Sequence, residues 1–231
     1  VRMTVFSFSI EPYGENGWIA TLSKSDMVER ALTVNAAADA LRDRPGVTDA
    51  VAGVESIVLR FRPSEVTAEA AKTMLNDALQ TAKAHSARSE AVIEIPVCYG
   101  GEYGPDFEML CEKLGISGEE LISFHSAKTY RVLTVGFAPG FAYLGPLPDE
   151  LQTQRLATPR AHVPAGSVGV AGAMTGVYAL ASPGGWPLIG RTPKCLFDAG
   201  TDEPFLFSSG ATVRFTPIDE PTYTALKAER S

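Results

Sequence analysis

The first part of the chain alternates between strand-like and helix-like hydrophobic patterns. Apolar and polar residues alternate over residues 3–10, and residues 18–22 repeat this pattern after a turn, which predicts two strands. Apolar residues then recur at helical spacing between Ser25, a possible N-cap, and Pro45, which predicts a helix. A β-β-α unit therefore opens the chain.

The same order is repeated once. Residues 47–54 and 56–61 predict two further strands, and Thr67 is placed to cap a second helix that continues through Leu79. A β-β-α-β-β-α order predicts a two-layer α/β sandwich of ferredoxin-like type. Residues 84–89 are small and polar, as is typical of a linker, so we predict two domains, 1–88 and 89–231.

The second domain begins with mixed structure and continues as β-structure. A strand at 91–97 precedes a helix at 106–114 that ends at Gly115, and Ser117 and Glu120 form a capping box for a further helical turn. Short strands separated by turn residues then predict a barrel, and residues 221–230 predict a closing helix. The predicted strands are 130–135, 168–170, 177–180, 195–197, 205–207 and 211–217.

Turn-forming residues are concentrated between residues 136 and 190, which hold 10 of the 21 glycines and 7 of the 16 prolines. The first such run, 136–145, is predicted to be a shaped loop, neither helix nor ordinary strand. Four aromatic residues stand beside turn residues, where a core is hard to build, and are expected to contribute to a groove or an interface. They are Phe137, Phe141, Tyr143 and Trp186. The alternative is a β-domain that has many tight turns.

Charge and composition exclude several classes of function. The formal net charge of −7 and the absence of basic runs argue against nucleic-acid binding. Apolar runs are too short to span a membrane, and the first residues lack a signal-peptide profile, so a cytoplasmic protein is expected. The three cysteines are expected to be reduced thiols, and the spacing of the histidines predicts no metal site.

Several catalytic motifs are missing from the sequence. It contains no P-loop, no dinucleotide-binding glycine motif and no biotinyl-lysine motif. The run around Ser167 resembles a nucleophile elbow, but alanine replaces its first glycine and no helix is predicted after it. A turn or backbone-binding role for Ser167 is therefore favoured over nucleophilic attack.

Polar side chains within the glycine-rich loops are the remaining candidates for chemistry: Arg160, His162, Ser167, Arg191, Thr192 and Asp198. Arginine presents a planar fork of donors suited to carboxylate or phosphate, so these loops suit a small anionic substrate. The alternative is structural, with Arg160 and Arg191 bracing the loops through Asp149, Glu150 or Asp198. His162 is a candidate acid or base near neutral pH, although a structural role is also open.

Four long segments resemble one known family. They are IPVCYGGEYGPD at 95–106, GFAPGFAYLG at 136–145, TPRAHVPAGSVGVAG at 158–172 and SPGGWPLIGRTP at 182–193. In this order they are similar to the allophanate hydrolase subunit 1 family of carboxyltransferase type. That family includes the B subunits of 5-oxoprolinases and the sporulation kinase inhibitor KipI.

The resemblance implies a cyclophilin-like β-barrel as the second domain and a role within a multi-protein enzyme. It implies a 5-oxoprolinase that uses ATP to open 5-oxo-L-proline to L-glutamate, in which this chain is the B subunit and works with a C-type subunit and a LamB/YcsF-type A subunit. The alternatives are a KipI-like inhibitor of a histidine kinase and a carboxyltransferase-like hydrolase subunit for urea or allophanate.

Combining the resemblance with the chemistry of the loops gives one set of expected site residues. Arg191, Arg160 and His162 are the candidate catalytic residues. The candidate substrate-binding or interface residues are Phe137, Pro139, Gly140, Phe141, Tyr143, Gly166, Ser167, Gly184, Gly185 and Trp186.

Overall fold

A computed structural model of the protein describes residues 7–23, 26–82 and 91–229. Contacts divide the chain into two units, with the division between Arg88 and Ser89. The predicted linker at 84–89 lies outside the described residues. Each unit is therefore described separately.

The N-terminal unit is a four-stranded antiparallel sheet with two helices. Its elements are β1 (Ser7–Pro12), β2 (Gly17–Ser23), α1 (Met27–Arg42), β3 (Val47–Ala52), β4 (Ser56–Phe61) and α2 (Ala68–Thr81). The strand order is β1-β2-β4-β3, and because β2 and β3 both pair antiparallel with β4, the strands joined by α1 run parallel to each other. The ferredoxin-like assignment of this unit stays a prediction.

Local signals set the ends of these helices. The Thr67 side chain accepts a hydrogen bond from the Ala70 N–H and caps α2 as predicted. The cap of α1 is Asp26, whose carboxylate accepts from the Glu29 N–H, and the predicted cap Ser25 lies outside the described residues. Apolar residues of both helices pack on the sheet around Leu59 and Leu75, which are fully buried.

The C-terminal unit is built on a closed barrel. Its elements are β5 (Val92–Tyr99), α3 (Phe107–Leu114), α4 (Gly118–Ser126), β6 (Thr129–Val135), β7 (Ala142–Gly145), a 3-10 turn (Asp149–Leu151), β8 (Arg160–Val163), β9 (Ser167–Ala171), β10 (Met174–Val177), β11 (Ser182–Gly184), β12 (Leu188–Arg191), β13 (Thr212–Ile218) and α5 (Glu220–Ala228).

Seven strands form the barrel in the order β10-β7-β6-β13-β5-β12-β9, and the pairing of β9 with β10 closes it. The pairing of β13 with β5 is parallel, and the other barrel pairs are antiparallel. Strands β8 and β11 form a separate ribbon. The predicted mixed α and β fold with a β-barrel is confirmed, whereas the finer cyclophilin-like assignment stays a prediction.

Helix signals in this unit also match the structure. Gly115 adopts a φ of 69° at the end of α3, where its N–H bonds to the carbonyls of the last turn. Ser117 and Glu120 form both hydrogen bonds of the predicted capping box at the start of α4. Within the described ranges, no helix has the length and hydropathy needed to cross a membrane.

The strand predictions were less accurate in the loops. Residues 195–197 and 205–207 are not strands and form only an isolated bridge between Phe197 and Phe205. The predicted loop 136–145 contains β7 in its second half, and the short strands β8, β11 and β12 were missed. Proline or glycine in β11 and β12 obscured the alternation that marks a strand.

Candidate functional site

Two neighbouring groups of expected site residues lie in the C-terminal unit. Gly166 and Arg191 line a cleft, whereas the aromatic residues form a cluster with the buried ring of Tyr178. The two groups are joined through the backbone, because the Gly166 N–H donates to the Tyr178 carbonyl at 2.7 Å.

The cleft at Arg191, hereafter the basic cleft, has a volume of about 300 Å³. Its walls include three cations, a glycine and a buried tyrosine: Gly166, Arg191, Lys194, Tyr223 and Lys227. An adjoining cleft of about 390 Å³ shares Arg191, Tyr223 and Lys227 and is also lined by Glu102 and Tyr103. Arg191 therefore borders two open spaces.

Arg191 is held at the end of β12, opposite Cys98 on β5 and Ser167 on β9. Its Nη2 donates to the Glu102 carbonyl at 3.3 Å, and its guanidinium carbon lies 5.8 Å from the centre of the Tyr103 ring. Its Nε is buried and has no hydrogen-bond partner among the described residues. The guanidinium is thus held in position while part of its donor capacity is unused.

The loop opposite Arg191 requires glycine at position 166. Gly166 has a φ of +83°, and a Cβ atom there would lie 2.3 Å from the Thr192 carbonyl oxygen. The Thr192 N–H donates to the Gly166 carbonyl at 2.9 Å, so the two loops lie in direct contact. Any side chain at position 166 would push them apart.

Ser167 does not have the setting of a catalytic nucleophile. It is fully buried and begins β9, so the strand-to-helix turn of a nucleophile elbow is not formed there. Its hydroxyl has no hydrogen-bond partner in the part of the chain that the structure describes. A turn or backbone role for Ser167 stays a prediction.

The aromatic cluster is partly core and partly surface. The rings of Phe141 and Trp186 are buried, with 3% and 4% exposure, and their centres lie 5.9 Å apart. Tyr143 is half-buried, and Phe137 is 64% exposed at a φ of +73°, which is rare for a residue with a side chain. Two of the four rings therefore reach solvent, and the buried pair contributes packing.

Close packing around this cluster explains two of the expected glycines. A Cβ on Gly140 would lie 2.6 Å from the Phe197 Cβ, and one on Gly184 would lie 2.4 Å from the Tyr178 hydroxyl. Gly185 accepts a hydrogen bond from the Leu156 N–H through its carbonyl. These glycines hold the loops against each other, and Pro139 lies in the loop immediately before Gly140.

Arg160 braces the structure through a partner that was not predicted. Its Nη2 lies 2.6 Å from an oxygen of Asp106, and the other Asp106 oxygen accepts from the Leu188 N–H at 2.7 Å. The ion pair of Arg160 is thus formed with Asp106 and not with Asp149, Glu150 or Asp198, the partners that the structural alternative named. His162 lies exposed on β8, and neither Arg160 nor His162 lines the clefts described above.

His125 forms a buried polar network that the sequence did not reveal. The Thr175 hydroxyl donates its proton to the Gly169 carbonyl, so it accepts from His125 Nε2 at 2.9 Å. The other ring nitrogen, Nδ1, therefore accepts from the Tyr99 hydroxyl at 2.7 Å. Complete burial lowers the pKa of His125 to about 3 and keeps the ring neutral. Its partners lie 26 and 50 positions away, so no local motif marks the network.

The three cysteines are free thiols. Cys98 and Cys111 are buried, and burial raises the pKa of each thiol. The half-buried Cys195 thiol lies 3.3 Å from the Phe197 carbonyl oxygen. Among the described residues, no group of three or more His, Cys, Asp or Glu side chains is arranged to hold a metal ion.

Comparison with known proteins places this site in a family. Residues 8–207 match the family described as the carboxyltransferase domain, subdomain C and D. The chain belongs to this family. Carboxyltransferase-family relatives include the 5-oxoprolinase B subunit of Escherichia coli O157:H7, which is 45% identical over 189 residues that span 79% of this chain and 84% of the relative.

A second relative, the 5-oxoprolinase B subunit of Bacillus subtilis (strain 168), is 47% identical over 138 residues. These residues span 60% of this chain and 58% of that protein. The shared sequence thus covers a little over half of the Bacillus relative.

Solved structures share the fold of this chain. TTHA0988 superposes with a TM-score of 0.76 at 32% identity over 90% of this chain, which corresponds to 40% of its own chain. The Kluyveromyces lactis urea carboxylase superposes with a TM-score of 0.77 at 16% identity, over 96% of this chain and 23% of its own. The second likeness shows the fold alone.

Proposed function

We propose that this carboxyltransferase-family chain is the B subunit of an ATP-dependent 5-oxoprolinase that converts 5-oxo-L-proline to L-glutamate. The observation that carries the proposal is the 45% identity to the Escherichia coli 5-oxoprolinase B subunit over 84% of that protein. A cytoplasmic complex fits the use of ATP.

Partner proteins follow from the proposal, because the relatives are named as one subunit of an enzyme. We propose a C-type subunit and a LamB/YcsF-type A subunit as those partners. Candidate contacts for such partners are exposed apolar side chains of the C-terminal unit: Val135, Phe137, Leu180 and Phe205.

The proposed chemistry begins with phosphoryl transfer from ATP to the lactam carbonyl oxygen. Water then attacks the activated carbonyl carbon, the carbon–nitrogen bond breaks, and a second water releases phosphate, so that L-glutamate, ADP and phosphate are the products. The negative charge that develops on these oxygens requires fixed cationic donors. Arg191 suits this task because its guanidinium is positioned by Tyr103 and Glu102 and Arg191 lines the basic cleft.

We propose that Arg160 helps to position Arg191. Arg160, on β8, forms an ion pair with Asp106, and Asp106 also accepts a hydrogen bond from the N–H of Leu188. Leu188 is the first residue of β12, and Arg191 is its last. His162 remains a candidate acid or base by its chemistry alone.

Reconstitution tests this function. The chain is combined with its proposed A-type and C-type partners, and glutamate and ADP are measured after addition of 5-oxoproline and ATP. Turnover that requires all three proteins supports the proposal. Turnover of allophanate or urea instead of 5-oxoproline, or inhibition of a histidine kinase without any turnover, would overturn it.

A further inference from the structure

We propose that the basic cleft binds the phosphate groups of a phosphorylated ligand. The proposal concerns the chemistry of this chain alone, and only the naming of ATP as the natural ligand rests on the proposed function.

The charge of the cleft is the first reason. Arg191, Lys194 and Lys227 come from β12, from the loop after it and from the last turn of α5, yet all three line one space. No carboxylate side chain is among the described residues that line it. This is a local concentration of positive charge in a chain whose formal net charge is −7.

The hydrogen-bond donors of the cleft are the second reason. The Arg191 Nη2 contact to the Glu102 carbonyl oxygen is long at 3.3 Å, so this donor is only weakly engaged within the chain. The Lys194 ammonium donates to the Glu94 carbonyl at 3.0 Å, which uses one of its three protons. A phosphate group offers several acceptor oxygens and matches this excess of charged donors.

The size and charge of the cleft favour a phosphate chain over a single carboxylate. A volume of about 300 Å³ is at the lower end of the range for small-molecule pockets, so it suits part of a nucleotide better than the whole. The remainder can extend toward the adjoining cleft, which Glu102 and Tyr103 line. A phosphate chain carries several negative charges and can contact more than one of these cations, whereas 5-oxoproline carries one negative charge.

The cleft is also built on rigid elements. Arg191 belongs to a paired strand, and Gly166 and Thr192 hold the two facing loops together. Tyr223 is buried, and burial raises the pKa of its hydroxyl while the Arg191 charge opposes that change. A preorganised site of this kind spends little free energy on ordering when the ligand binds.

Calorimetric titration of the full chain tests the proposal, with inorganic tripolyphosphate, ATP and 5-oxoproline compared at constant ionic strength. We expect tripolyphosphate and ATP to bind and 5-oxoproline to bind at least about tenfold more weakly. Arg191→Gln and Lys227→Gln should each weaken tripolyphosphate binding at least about tenfold. Lys72→Gln in the N-terminal unit makes the same charge change and should have no effect.

Circular dichroism melting of each variant shows whether it is folded, and Lys194→Gln provides a third substitution in the cleft. Absence of tripolyphosphate binding overturns the proposal, as does an equal loss in the Lys72 variant or a preference for 5-oxoproline. Failure of the proposed function gives a different result. In that case tripolyphosphate still binds through the three cations, and the reconstituted complex leaves 5-oxoproline intact.

Discussion

Acidification should destabilise the C-terminal unit through His125 well before its carboxylates are protonated. The ring is completely buried and neutral, with a pKa of about 3 in the native chain against 6.5 for an unperturbed histidine. Below pH 6.5 the unfolded chain therefore binds a proton that the native chain does not. Stability due to the neutral ring is present above pH 6.5 and is lost as the pH falls toward 3.

The size of the effect follows from these two pKa values. Between pH 7 and pH 5 the unfolded histidine becomes almost fully protonated while the native one remains neutral. Linkage then gives a loss of about 2 kcal/mol in the free energy of unfolding. Carboxylates contribute little in this range, because their ordinary pKa values lie near 4.

Urea denaturation at pH 7 and pH 5 measures this loss. His125→Gln removes the titrating group. Between pH 7 and pH 5 the native chain should therefore lose about 2 kcal/mol more of its free energy of unfolding than this variant loses. His162→Gln is the matched control, since His162 is exposed, and it should keep the native pH dependence. Nuclear magnetic resonance of the native chain should show no titration of the His125 ring between pH 7 and pH 5.

Two results would refute the reasoning. One is an unchanged pH dependence in His125→Gln, which would assign the loss to other groups. The other is a His125 ring that titrates near pH 6 in the folded chain, which would mean that burial does not hold it neutral.

Four further predictions follow from the described contacts. Arg191→Lys keeps the charge but loses the planar fork of donors. It should lower turnover of the reconstituted complex by about 30- to 1000-fold with little change in melting temperature. A lower melting temperature with near-normal turnover would indicate instead that Arg191 braces a loop. Asp106→Ala leaves the Arg160 charge and a buried N–H unpaired, and it should cost about 3–5 kcal/mol of stability by urea denaturation. The control Glu94→Ala breaks an exposed ion pair and should cost no more than about 1 kcal/mol. Equal losses of stability in the two variants would contradict this prediction. Phe137→Gly should be about 1 kcal/mol more stable than Phe137→Ala, because only glycine adopts a φ of +73° without strain, and equal stability would argue against a strained loop. Limited proteolysis should cut within the predicted linker, 84–89, and leave two folded fragments, and a single resistant core would mean that the chain is one domain.

Helix ends could be predicted from the sequence because their signals are local. The hydroxyl of Thr67, the capping box of Ser117 and Glu120, and the left-handed Gly115 each act within one helical turn. The family could be predicted as well, because its long motifs are contiguous in sequence, and the match over residues 8–207 confirms it.

The tertiary structure alone decided how the expected site is divided. The sequence placed Phe141, Trp186 and Arg191 in similar loops, yet the two rings are buried in a cluster and the guanidinium lines the basic cleft. Which glycine-flanked side chain is covered depends on loops that pack together from distant parts of the chain, and hydrophobic periodicity carries no signal in such short segments.

Long-range partners were likewise beyond the sequence. Arg160 binds Asp106 across 54 positions, and β5 pairs in parallel with β13 across more than 100. The acidic residues nearest to Arg160 in the sequence are Asp149 and Glu150, yet the folded chain brings the distant Asp106 within hydrogen-bond distance of both Arg160 and the N–H of Leu188. Composition determined which groups need partners, and the folded geometry determined which partners they have, because hydrogen bonds and ion pairs depend on distances in space and not on separation along the chain.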